Sequence, residues 1–143
     1  PALEAFVPFS KRFGFIYDLL YNDSGHERMN LADKQIFIRL KATENQHIAS
    51  GIKILWSRHA ITEAVNDNLS RRDVENALIS AEVIEDYLPL QRPLPDCLVL
   101  GFLQAHQPLH AVVAVDKHND RIFIVTVYLP AKEKWENDWR TRK

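Results

Sequence analysis

The stretch that decides the fold is residues 97–129, CLVLGFLQAHQPLHAVVAVDKHNDRIFIVTVYL. It holds three runs rich in β-branched, aliphatic and aromatic residues, which are separated by QAHQP and KHND. Runs of this composition with polar breaks between them are typical of strands joined by turns. We therefore predict three consecutive antiparallel strands. Residues 98–102 and 111–115 are apolar on both faces, which predicts a sheet that is covered on both sides or wraps tightly.

Helical patterns precede this stretch. Asn30, with Asp33 three residues later, is typical of a helix start, and the segment up to Ser50 is long enough to favour helix over strand. Ser57 is the predicted N-cap of a second helix, with Ala60, Ile61, Ala64 and Val65 on one face. Ser70 begins a third helix, whose apolar positions at helical spacing are Val74, Ala77, Leu78 and Ala81.

The remaining segments complete an α+β pattern, with helices first and a small antiparallel sheet after. We interpret IKILW (residues 52–56) as a short connector, EVIEDYL (residues 82–88) as a strand and LQRPLPD (residues 90–96) as a loop. Pro130 is predicted to open a short C-terminal helix with Trp135 and Trp139 one turn apart. Residues 29–143 then form one domain, while residues 1–28 are either a native N-terminal extension or an added leader.

Composition narrows the function classes. A chain of 143 residues with 46% hydrophobic and 26% charged residues is an ordinary globular protein. Its formal net charge of −1 implies that any nucleic acid must be bound through a local patch. The single cysteine, Cys97, fits a reducing, cytoplasmic location. The sequence contains no run of about 18 apolar residues, so we predict no membrane span.

Candidate site residues emerge by elimination. The sequence has no CxxC, HExxH, GxSxG or phosphate-binding glycine loop, and its histidines lack the companions of a metal site, so we predict neither metal nor cofactor. Four residues remain as catalytic candidates: His59 in SRHA, His110 in PLHAVV, and Thr126 and Tyr128 in the last strand. Each is also ordinary as a structural residue, because histidines at element ends and Thr or Tyr in strands are common.

The strand register decides whether these residues meet. If the last hairpin turns at His118 and Asn119, His110 pairs with Val127 and lies on the face opposite Thr126 and Tyr128. A loop one residue longer or shorter, or one β-bulge, would put His110 beside them. The sequence leaves these alternatives open.

Two histidines brought together would suffice for metal-independent cleavage of RNA. One removes the proton from the 2′-hydroxyl and the other protonates the leaving 5′-oxygen. A cation must stabilise the charge that builds on the phosphate, and the candidates are Arg58, Arg92 and Lys117.

The motifs WSRHA, LSRRDVENAL, PDCLVLGF, PLHAVVAV and IFIVTVYLP, followed by tryptophans, resemble the family catalogued as domain of unknown function 4258. The resemblance implies a RelE-like or barnase-like fold, with helices packed on a small curved antiparallel sheet, as in ribonuclease toxins. It also implies a zinc-finger antitoxin partner of the MqsA type. In the family's motifs the SxHA histidine is His59, the PLH histidine is His110, and the TVY pair is Thr126 and Tyr128.

The chain departs from the family pattern in one place. Relatives commonly read HAxxRMxxRGIS where this chain reads HAITEAVNDNLS. Glu63 and Asp67 thus replace two arginines on the helix that carries His59, which weakens phosphate binding there.

Two hypotheses follow. The first is an endoribonuclease, the toxin of a toxin–antitoxin pair, that cleaves RNA, including ribosome-bound mRNA. The second is a non-catalytic protein- or RNA-binding module on the same fold, with structural histidines and a sheet face that binds a partner or a second copy in a homodimer.

Overall fold

A computed structural model describes residues 29–87 and 94–143. The predictions for residues 1–28, for Arg92 and for most of the 90–96 loop lie outside the described residues. The helices are α1 (Leu31–Asn45), α2 (Arg58–Asn66) and α3 (Arg71–Ala77), and the strands are β1 (Ile54–Trp56), β2 (Glu82–Asp86), β3 (Asp96–Phe102), β4 (Pro108–Asp116) and β5 (Arg121–Tyr128). Single 3₁₀ turns lie at Ile48–Ser50, Leu78–Ser80 and Gln104–His106.

The strands form one curved sheet in the order β1-β5-β4-β3-β2. The pairs from β2 to β5 are antiparallel, whereas β1 runs parallel to β5. The α+β class and the antiparallel meander are therefore confirmed. The interpretation of residues 52–56 as a connector was wrong, because Ile54, Leu55 and Trp56 pair with β5.

The predicted helix starts are confirmed by their caps. The side chains of Asn30, Ser57 and Ser70 accept hydrogen bonds from the backbone N–H groups of Asp33, Ala60 and Asp73. These bonds satisfy donors that a helix leaves unpaired at its first turn. The apolar face predicted for α2 was only half right: Ala60 and Ala64 are buried, but Ile61 and Val65 are exposed.

The helices cover one face of the sheet. Residues such as Phe37, Val74, Val113 and Ile124 are fully buried in this core. Gly101 in β3 lies so close to α3 that a Cβ atom there would stand 2.9 Å from the carbonyl oxygen of Ala77. A larger residue at this position would push the helix off the sheet.

The predicted C-terminal helix was wrong. Residues 131–143, which we call the strap, form turns closed by a bridge between Trp135 and Arg142. Asp138 accepts hydrogen bonds from the backbone N–H groups of Arg140 and Thr141, a local pattern that competes with helix formation. Trp139 has a φ of 62°, in the left-handed region. The strap crosses the sheet face that the helices leave open.

Among the described residues, no helix has both the length and the apolar character needed to cross a membrane.

Candidate functional site

A β-bulge sets the register between β4 and β5. Asp116 pairs with Arg121, as the two-residue turn predicts, but the pairing shifts by one residue between Val112 and Val113. His110 consequently pairs with Tyr128, and Val112 pairs with Thr126. Of the two registers that the sequence left open, the structure has the one with a bulge. His110, Thr126 and Tyr128 therefore lie on the same face of the sheet, opposite the helices.

The start of α2 is fixed at this bulge. Ser57 donates its hydroxyl hydrogen to the carbonyl oxygen of Val125 at 2.7 Å, and its backbone N–H bonds the carbonyl oxygen of Ile124 at 3.0 Å. The same Ser57 hydroxyl caps the helix by accepting from Ala60. The SRHA and TVY motifs therefore meet in space, because one serine both caps α2 and bonds the irregular part of β5.

Glu63 links His59 to β5. One carboxylate oxygen, Oε1, lies 3.3 Å from Nε2 of His59. The same oxygen accepts hydrogen bonds from the Thr126 hydroxyl and from the backbone N–H of Val127. β1 ends at Trp56, so Glu63 supplies the acceptor that a longer neighbouring strand would have given to Val127.

Five side chains thus lie along one line on the open face, which we call the polar row: His59, Glu63, Thr126, Tyr128 and His110. Thr126 and Tyr128 are two residues apart on one strand, about 7 Å. The Tyr128 hydroxyl lies 3.1 Å from Nδ1 of His110. The fold therefore places all four predicted catalytic residues along one row and adds Glu63 to them.

The two ends of the polar row differ in exposure. The side chain of His59 is 71% exposed. His110 is fully buried, although the sequence indicated a histidine at the end of a strand. The strand begins two residues earlier, at Pro108, and the strap lies over the ring. The Trp135 ring packs edge-on against His110, with centroids 4.4 Å apart.

Both ring nitrogens of His110 have partners. Nε2 lies 2.8 Å from the carbonyl oxygen of Trp139, which can only accept, so Nε2 carries the hydrogen. Nδ1 of the neutral ring then accepts from Tyr128. Burial lowers the pKa of His110 and so favours the neutral ring, although the hydrogen bond to the Trp139 carbonyl acts in the opposite direction and raises it. Burial also raises the pKa of Tyr128, so this hydroxyl keeps its hydrogen.

Of the predicted cations that the structure describes, only Arg58 lies beside the polar row. Arg58 is exposed at the first position of α2, next to His59. Lys117 follows the far end of β4, about 20 Å along the strand from His110. Arg142, which we did not predict, belongs to the strap: it bonds Glu85 through two nitrogens, at 2.6 and 3.0 Å, and its guanidinium lies 4.6 Å from the Trp135 ring.

Beside the middle of the polar row, the open face holds a cavity of about 650 Å³. Its walls are mainly apolar and are formed by Ser57, Tyr87, Leu94, Asp96, Val112, Ala114, Phe123, Val125 and Thr126. Cavities of this size accept small molecules or single side chains. Within residues 29–87 and 94–143, no three His, Cys, Asp or Glu side chains are grouped so as to hold a metal ion.

The fold and the site together define a small α+β domain with a polar row and an apolar cavity on one sheet face. The model of a family described as a domain of unknown function (DUF4258) matches residues 56–129, just over half of the chain. The protein belongs to this family. The matched segment contains the whole polar row, and the strap follows it. No curated protein and no solved structure gives a significant match.

Proposed function

We propose that the protein is a small metal-independent endoribonuclease, the toxin of a toxin–antitoxin pair, that acts at the polar row. The observation that carries the proposal is the β-bulge, because it puts His110, Tyr128 and Thr126 on the face where Glu63 reaches His59. Residues from distant parts of the sequence meet on one face of the sheet. Such convergence of titratable and hydroxyl groups is typical of catalytic sites.

His59 is the accessible acid–base group of this site. In the proposed reaction its ring takes the proton of a ribose 2′-hydroxyl, the 2′-oxygen bonds to phosphorus, and the bond from phosphorus to the 5′-oxygen breaks. The 5′-oxygen takes a proton from water, and the products are a 2′,3′-cyclic phosphate and a free 5′-hydroxyl. The carboxylate of Glu63, 3.3 Å from Nε2, stabilises the imidazolium that forms.

The remaining groups have secondary roles in the proposal. Arg58, adjacent to His59 at the exposed start of α2, is the candidate phosphate-binding cation. The Thr126 and Tyr128 hydroxyls orient the ribose–phosphate backbone. RNA in the cytoplasm is the proposed substrate. A zinc-finger antitoxin of the MqsA type is the proposed protein partner, and a homodimer is the proposed assembly in its absence.

Cleavage of a single-stranded RNA in the presence of EDTA tests the proposal. We expect products with 2′,3′-cyclic phosphate ends, and no cleavage of the corresponding DNA, which lacks the nucleophile. His59→Ala should lower the rate on the order of 100- to 10,000-fold. His118→Ala is the matched control, because His118 is also exposed but lies in the β4–β5 turn. Equal rates for wild type and His59→Ala would refute catalysis by His59.

A second candidate function is a non-catalytic protein-binding module. The observation that favours it is the apolar cavity, together with the carboxylates of Glu63 and Asp67 on the helix beside it, which repel RNA. In that case Val112→Lys, placed in the cavity wall, abolishes partner binding while His59→Ala leaves it intact. The RNA assay separates the two candidates, since a binding module yields no cyclic phosphate.

A further inference from the structure

The strap is a folded unit that holds its own shape. The backbone N–H of Glu136 bonds the carbonyl oxygen of Thr141 at 2.8 Å, and that of Lys143 bonds Lys134 at 3.0 Å. Asp138 closes the turn between them by accepting from the N–H and hydroxyl of Thr141. The strap can therefore leave the sheet as one piece, without first losing its internal hydrogen bonds.

Its attachment to the sheet is concentrated at one buried point. Trp135 is 3% exposed and packs on His110, whose Nε2–H bonds the Trp139 carbonyl. Trp139 holds a left-handed φ of 62° at this contact, a conformation rare for a bulky residue. The strap is thus bound in a strained backbone conformation.

The other attachments are exposed ion pairs. Arg140 pairs with Glu82 and Arg142 with Glu85, and the arginine side chains are 45% and 58% exposed. The Arg142 guanidinium lowers the pKa of Glu85, so this pair is charged at neutral pH. Ion pairs of this exposure are weak and are screened by salt.

We infer that the strap is a releasable cover that withholds His110 from the polar row, and that its release presents a second imidazole in line with His59. The inference rests on the proposed function for its catalytic meaning. Tyr128 is already beside His110 on the open face, so uncovering the ring requires no change in the sheet. With the strap released, the His110 ring can contact an RNA that lies along the polar row, while His59 remains the acid–base group at the scissile phosphate.

Modification of histidines by diethyl pyrocarbonate, read out site by site by mass spectrometry, tests the cover. His59 is the accessible internal reference in every sample. In the wild type His110 should be protected, because it is buried and both ring nitrogens are hydrogen-bonded. In the double variant Arg140→Ala/Arg142→Ala we expect the rate at His110 to rise at least about 10-fold relative to His59, since even weak ion pairs together contribute that much.

The matched control is Lys132→Ala/Lys134→Ala, which removes the same charge from the strap at two exposed positions. It should leave His110 protected. A second route avoids mutation: raising NaCl on the wild type should speed modification of His110 but not of His59. Protection unchanged both in the double variant and at high salt would overturn the inference.

RNA cleavage by the same proteins separates this inference from the proposed function. Faster cleavage in the double variant, abolished by adding His110→Ala, supports both. If His110 becomes exposed in the double variant but neither protein cleaves RNA, the proposed function is overturned and the inference about the strap is retained. If the wild type and the double variant cleave RNA at the same rate and His110 is still protected in both, the inference about the strap is overturned and the proposed function is retained.

Discussion

His59 and His110 carry the same side chain at opposite ends of the polar row, but their surroundings differ completely. His59 is exposed on a helix and has one carboxylate neighbour, whereas His110 is buried under Trp135 with both nitrogens bonded. The imidazole at one end is exposed to solvent, and the one at the other end contributes to the stability of the strap. Residue type and motif position therefore do not fix the role of a histidine, because coverage by a distant segment changes that role.

The largest expected difference is in stability. His110→Ala should lower the free energy of unfolding by about 3 kcal/mol, because it opens a cavity under Trp135 and leaves the Trp139 carbonyl and Tyr128 hydroxyl unpaired. His59→Ala should change it by less than about 0.5 kcal/mol. Urea denaturation of both variants measures the contrast, and equal midpoints would show that the two rings are equally important to folding.

Glu63, in the middle of the polar row, should have an intermediate effect. Glu63→Ala removes the acceptor for the buried backbone N–H of Val127 and for Thr126, at a cost of about 2 kcal/mol. Glu63→Gln keeps an oxygen in place and should cost much less. Chemical denaturation distinguishes them: if both variants lose the same stability, the charge of Glu63 and not its hydrogen bonds is what matters.

The dependence of stability on pH should come from His110. Its pKa is lowered in the folded protein, so below an unfolded value of about 6.5 the unfolded chain binds a proton that the folded chain does not. The contribution of neutral His110 to the free energy of unfolding is therefore fully present above about pH 6.5. It falls as the pH drops towards the folded pKa, by at most about 1.4 kcal/mol per pH unit. The groups that face the ring are Tyr128, Glu85 and Arg142.

This slope should persist in His59→Ala and disappear in His110→Ala when the free energy of unfolding is measured across that range. Retention of the slope without His110 would assign it to another group.

The smallest expected effect is at the ion pairs of the strap. Arg142→Ala should cost less than about 1 kcal/mol, because the arginine is largely exposed. The loss should shrink further at high salt. Thermal denaturation at two salt concentrations checks this, and a cost of several kcal/mol that salt does not reduce would mean that the strap is fixed mainly by charge.

Local features of the fold could be predicted from the sequence. The caps at Asn30, Ser57 and Ser70 involve residues three apart, and the strands of the meander follow from runs of β-branched residues. Such features depend on neighbours along the chain, so a pattern within a few residues is enough. β1 was missed because three residues are too few to show a period, and its pairing partner lies in β5.

The candidate site depended on long-range contacts. The face on which His110 lies is decided by the bulge in β5. No turn residue in β5 marks this bulge, and Ser57 stabilises it from another part of the chain. The helical spacing of Trp135 and Trp139 predicted a helix, but the tight turn around Asp138 prevails. Glu63 had been interpreted as the loss of an arginine, with no role in β5. Its bond to Thr126 spans 63 residues and could not be derived from spacing.

The outer rim of β2 has a consequence for how copies of this protein meet. α1 lies along that rim: Gln35 accepts from the Val83 backbone N–H at 2.9 Å, and Arg39 donates to the Ala81 carbonyl at 2.7 Å. Side chains thus occupy backbone groups that would otherwise recruit a strand from another molecule. Sheet extension between copies is blocked on this side, so an amyloid-like stack would first require α1 to detach.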